Sequence, residues 1–271
     1  MNVLIGAVIV GVAAALSIAA MLAVRRGAPD GGYFTNGDRA AGVFGVLATG
    51  FSVLLGFLIF LAFESYDAAR VGAETEALLV AQQIETAQLL QLDLRDELGS
   101  GLVCYARYVI AGEWDDQAPG ERINPWGVAL FRATEQMAPT SATEEAAYAK
   151  WLDQTSTREE ARRDRIHGAA GLIPSPLWVV LFFTAVIIFG FLLFFADSGE
   201  RAVVQALLMG SVVSVIVAML LLLRFLDDPF HSGVGGLRPA AMERTELIIN
   251  QALEAIGQDL SPPCDESGVA L

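Results

Sequence analysis

Four stretches of the chain run for about twenty residues without a charge, the length a helix needs to cross a bilayer at 1.5 Å per residue. Val3 to Val24 ends at Arg25 and Arg26, and Val43 to about Phe63 is closed by Glu64. Leu177 to Ala196 follows Pro174 and Pro176 and stops at Asp197; Ala202 to Phe225 stops at Asp227, Asp228 and Pro229. A core helix of a soluble protein is seldom apolar on every side for so long. The first run has no basic residue ahead of it and exceeds the roughly 7–15 residues of a secretory signal core, so it reads as a retained span. The pattern predicts an all-α polytopic membrane protein, with four transmembrane helices and a helical polar domain inserted between the second and third. Residues 1–63 form the first transmembrane hairpin, 64–175 the polar domain and 176–226 the second hairpin. Residues 227–271 read as a loop, a short amphipathic helix and a disordered tail.

After Glu64 the apolar period changes. Ala73, Ala77, Val80, Ile84, Ala87, Gln91, Leu94 and Leu98 alternate by four and three, a heptad seam interrupted by Gln91. The second span is therefore expected to leave the membrane as one long helix whose face at Val80, Ile84, Leu94 and Leu98 is buried. Gly99-Ser100-Gly101 is the expected kink, before Leu102, Tyr105 and Val109 continue to Glu113. A turn-rich stretch around Pro119, Gly120 and Pro125 follows. Thr143 is the expected N-cap of a helix through Trp151, Leu152 and Ile166, with Glu144 and Glu145 in its first turn. Beyond Pro239, Met242, Leu247, Ile248, Leu253 and Ile256 mark a short amphipathic helix. No strand pattern occurs.

Composition supports the class. Only 18% of the 271 residues are charged, where soluble domains carry about 25%. The formal net charge of −14 argues against nucleic acid or anionic lipid as a broad partner. Lys150 is the only lysine, an arginine bias expected of a GC-rich bacterial genome. The expected location is the bacterial inner membrane. With four spans, the short connectors share one side and carry Arg25, Arg26, Arg39 and Arg201, which assigns them to the cytoplasm. Both termini and the 64–175 domain are then extracytoplasmic. Arg158, Arg162, Arg163 and Arg165 oppose this from a segment too long to be weighted fully. Cys104 and Cys264 lack zinc-site spacing. Unpaired thiols are the commoner case, and pairing would require an oxidising compartment.

In the second span Gly45, Thr49, Ser52 and Gly56 recur at four, three and four, a stripe of small and weakly polar residues on one helix face. Such a stripe can be a packing seam. It can also line a narrow pore, with Ile59, Phe60 or Phe63 as an apolar constriction. Asp227 and Asp228 could offer oxygen ligands to calcium, or simply end the helix with Arg224 as partner. The interleaved Glu159, Glu160 and Asp164 make the 158–165 arginine cluster a self-paired, solvated face rather than a lipid-phosphate site. No nucleophile elbow, phosphate loop or metal-binding His pair appears, so no enzymatic activity and no cofactor are expected.

Three stretches, FTNGDRAAGVFGVLATGFSVLLGFLIFLAFESYDAAR (34–70), RRDRIHGAAGLIPSPLW (162–178) and LDDPFHSG (226–233), resemble the bestrophin-like family of bacterial membrane proteins. The likeness extends over about residues 3–257. A more distant similarity, LLGF (54–57) with SYDAAR (65–70) and a Pro-Phe pair beside acids, leads to bestrophins, pentameric anion channels. That resemblance implies self-association, anions as the transported class, a pore lined by Gly45, Thr49, Ser52, Gly56, Phe60 and Phe63, and calcium near Asp227 and Asp228. Two departures stand out. The acids precede Pro229-Phe230 here and follow the pair in bestrophins, whose polar helices are cytoplasmic. The alternative reading is a membrane-anchored sensor or scaffold whose polar domain binds a partner.

Overall fold

A computed structural model of the chain describes residues 3–114, 123–169, 171–231 and 233–271. In chain order the helices are α1 (Val3–Arg25), α2 (Gly37–Ala87), α3 (Leu92–Tyr108), α4 (Pro125–Glu135), α5 (Ala142–Ala169), α6 (Ser175–Leu193), α7 (Ala202–Leu226) and α8 (Ala240–Ala255), with a π-helical turn at Val109–Glu113 after α3. Among the described residues there is no strand, only a bridge between Cys264 and Ala270. Four helices, α1, α2, α6 and α7, are long and apolar enough to cross a membrane. The fold is the expected all-α polytopic one.

The chain divides into two compact units, Met1–Ser65 with Gly171–Gly236, and Tyr66–Ala170 with Leu237–Leu271. In the first unit α1 packs along α7, where Gly210 leaves room for the Ile18 side chain. Met21, Ala196 and Met209 are buried together there. α6 begins at Ser175, so Pro176 lies inside its first turn, where a missing N–H costs no helical bond. Arg25 donates to the Ser198 and Glu200 carbonyls, and Gly31 N–H donates to Asp197 Oδ1 at 2.9 Å, so the two short connectors hold each other. Large apolar side chains such as Val8, Leu16, Phe183 and Leu207 stay more than half exposed, as lipid-facing residues must.

The second unit is built on the prolonged half of α2. The expected continuation holds: α2 is one helix of 51 residues. Val80, Ile84, Ala87 and Leu98 are buried, each large side chain contributing about 1.5–3 kcal/mol. The break falls elsewhere than expected. The helix ends at Ala87 and restarts at Leu92 with Gln91 as N-cap, while Gly99, Ser100 and Gly101 lie buried inside α3. Gly99 and Gly101 serve close packing against Leu260 and Leu130, not bending. Leu94, next to the break, is only half-buried.

Ser141, not Thr143, caps α5: its Oγ accepts from Glu144 N–H at 3.2 Å. Pro119 and Gly120 lie outside the described residues. Pro125 opens α4, an unexpected helix capped by Asn124, whose Oδ1 accepts from the Trp126 and Gly127 N–H groups. In α8, Met242 and Leu253 are buried with Ile249, whereas Leu247, Ile248 and, just past the helix end, Ile256 are exposed.

Two expectations about the end of the chain are corrected. Cys104 and Cys264 form a disulfide instead of remaining free thiols. The Pro/Ser/Asp-rich tail, expected to be disordered, is held on this unit. Trp126 Nε1 donates to Gly268 O at 2.6 Å, and Gly268, at φ +76°, sits so close to Tyr108 that a Cβ would collide with its backbone. Composition alone cannot register a covalent tie 160 residues away in sequence.

Candidate functional site

Two sets of residues in the first unit bear on function. On the membrane half of α2, Phe51, Leu55, Leu58 and Ala62 are buried and define the helix face turned into the chain's own packing. Gly45, Thr49, Ser52 and Gly56 are all exposed, beside that face and outside its packing. A Cβ added at Gly45 or Gly56 would meet nothing within 4 Å. The small-residue stripe is therefore not a seam within the chain. Phe60 and Phe63 continue it, 55% and 53% exposed. In α7, by contrast, the Ser211 and Ser214 hydroxyls donate back to their own helix, to Leu208 O and Gly210 O.

Asp227 and Asp228 part company. Asp227 is buried, and its Oδ1 accepts backbone N–H groups of Leu172 at 2.8 Å and Ile173 at 2.9 Å. It thus fixes the loop that leads into α6, a role that spacing in the sequence did not disclose. Asp228 pairs with Arg224 at 3.5 Å across one helical turn. Calcium takes six to eight oxygen ligands. One Asp227 oxygen is already occupied by two amides, and among the described residues no group of three or more His, Cys, Asp or Glu side chains gathers.

The arginine cluster of α5 is not a solvated face. Arg158 and Arg165 are 1% and 2% exposed and enter the core of the second unit. Arg165 Nε donates to Glu76 Oε2 at 2.6 Å and its Nη2 to Glu113 Oε2 at 2.7 Å. Arg162 Nη2 donates to Glu113 Oε1 at 3.0 Å. Tyr105 O–H donates to Glu76 Oε1 at 2.5 Å, and Arg158, whose Nη1 donates to Gln83 Oε1 at 2.8 Å, lies over the Tyr105 ring. Burial alone would weaken the charge on Arg165, but Glu76 and Glu113 raise its pKa and keep it a cation. Burial and the Glu76 carboxylate push the Tyr105 pKa well up, so this tyrosine remains a neutral donor. Gly72 allows α5 to approach: a Cβ there would stand 2.7 Å from Ala161 O and 2.8 Å from Arg165 N.

These elements define a multi-pass helical membrane protein of the bestrophin fold. Crystal structures of two single-substitution variants of a bacterial bestrophin homologue from Klebsiella pneumoniae align with TM-scores of 0.68 and 0.67, both at 16% identity. The first alignment covers 92% of this chain and 97% of that one, the second 89% and 99%. A crystallised membrane protein variant aligns at 0.67 with 17% identity, over 91% of this chain and 98% of its own. A family model of the bestrophin-like domain matches residues 9–242, and the chain belongs to the bestrophin-like family. No curated protein matches it in sequence.

Proposed function

We propose that this bestrophin-like protein assembles as an oligomeric ion channel, with α2 of each copy turned to a central path. The observation that carries this reading is that the stripe Gly45, Thr49, Ser52 and Gly56 is exposed, flanking the buried Phe51 and Leu55 face and not packed within it. Short side chains leave room where several helices meet on an axis, and hydroxyls can partly replace a hydration shell. Phe60 and Phe63, on the same face, would form the apolar constriction. Anions are the ion class that the bestrophin resemblance implies, and no catalytic role enters the reading. In reconstituted liposomes Ser52→Leu should abolish anion flux while the assembly survives, and Val53→Leu should leave both unchanged. A packing seam predicts instead that Ser52→Leu splits the oligomer. Absence of any wild-type flux under varied voltage, pH and calcium would favour a scaffold whose polar unit binds a partner.

The same proposal sets the polar unit, with both termini, outside the cytoplasm. Arg25, Arg26, Arg39 and Arg201 in the short connectors support it. So does the Cys104–Cys264 disulfide, since protein disulfides persist chiefly in oxidising compartments. Lys150 is the only lysine and is exposed on α5. A membrane-impermeant amine reagent applied to spheroplasts should label it; labelling only after the inner membrane is permeabilised would reverse the orientation.

A further inference from the structure

In the polar unit a cleft of about 390 Å³ opens where α2 gives way to α3. Its floor is apolar, made by Leu90, Leu94 and Met137, each half-buried against the core. Leu94 belongs to the heptad seam, and Gln91, the preceding seam position, is exposed at the N-cap position of α3, where its polar side chain bonds Glu144 and does not fill the gap. The seam is closed at Val80, Ile84 and Leu98 but open to solvent here. A filled heptad would have shut it.

The rim has one sign of charge. Asp93, Glu97 and Glu144 line it, and no Lys, Arg or His does. Glu144 stays ionised, since the Thr140 N–H and hydroxyl both donate to its Oε2, at 2.7 and 2.9 Å, and lower its pKa. Asp93 stands in the first turn of α3, where the helix dipole favours an anion. The dipole does not explain Glu97. It follows Asp93 by four residues, a like-charge spacing that destabilises a helix. Among the described residues neither Asp93 nor Glu97 has a cation partner. Clefts of a few hundred Å³ with an apolar floor and a few convergent polar groups are the usual form of small-ligand sites.

We propose that this cleft binds a small organic cation, its ammonium group between Asp93 and Glu97 and its apolar body on Leu90, Leu94 and Met137. The like-charged pair then gains the counter-charge that the chain does not supply, and the open seam gains its missing apolar filling. Tyr148 on the rim adds an aromatic surface suited to the same charge. The inference is independent of whether α2 conducts ions.

The test is calorimetry on the full-length protein in phosphatidylcholine nanodiscs, with benzyltrimethylammonium as probe. Saturable binding is expected, at least tenfold weaker for the Asp93→Asn/Glu97→Gln double variant, whose melting temperature should not fall. Tetramethylammonium, which lacks the apolar body, should bind at least tenfold more weakly than the benzyl compound, and benzoate not at all. Lack of saturable binding, an unchanged affinity in the double variant, or equal affinity for tetramethylammonium would overturn the proposal. So would a basic peptide that binds in an Asp93- and Glu97-dependent way when the small cation does not, because the cleft would then dock a protein.

Discussion

Arg165→Met should destabilise the polar unit by about 3–5 kcal/mol, read as a shift in the denaturation midpoint in detergent. The methionine keeps most of the apolar volume, so the loss is electrostatic. Glu76 is fully buried and Glu113 nearly so, and Arg165 is the cation that touches both. Without it the hydrogen-bond donor left to Glu76 among the described residues is the Tyr105 hydroxyl, and an uncompensated carboxylate in a low-dielectric core must be protonated or hydrated. Replacing both members, Arg165→Met with Glu76→Leu, should recover part of the loss, since the unpaired charge goes too. A single variant as stable as wild type would mean that water reaches the pair and screens it.

Cys104→Ala with Cys264→Ala should cost about 2–5 kcal/mol and free the tail. The bridge closes a loop of sequence separation 160, so its removal returns much freedom to the unfolded chain. In the folded protein it anchors the segment that carries Gly268, the acceptor of the Trp126 indole. Limited proteolysis should then cut within 257–271 in the variant and spare the wild type. Resistance in both would show that the hydrogen bonds of Trp126 and Arg107 hold the tail unaided.

What could be read from the sequence follows from the strength of each pattern. A span of about twenty apolar residues admits one structural reading, so the four membrane helices and the prolonged α2 were plain. The Gly45–Gly56 stripe was equally visible, but only coordinates reveal that it is exposed and lies outside the packed Phe51 and Leu55 face. The arginines of α5 misled because the interleaved Glu159, Glu160 and Asp164 suggested local pairing. A better signal was present. Arg158, Arg162 and Arg165 fall at four and three on one face of α5, as Glu76 and Gln83 fall seven apart on α2. Polar residues at core spacing on two helices meet in a buried network, a match across 89 residues for Arg165 and Glu76 that neither helix discloses alone. Asp227 was opaque for the same reason: its partners are backbone amides 54 and 55 residues away.

The claim that α2 faces a conduction path is tested most directly at Ser52. Both native cysteines are in the disulfide, so Ser52→Cys introduces the one free thiol. The variant, reconstituted in liposomes, is treated with a small charged methanethiosulfonate while ion flux is followed, and the extent of modification is read by mass. The account predicts that flux falls in proportion to modification, because a charged adduct on that face both narrows the path and alters its potential. Complete modification with undiminished flux would contradict it.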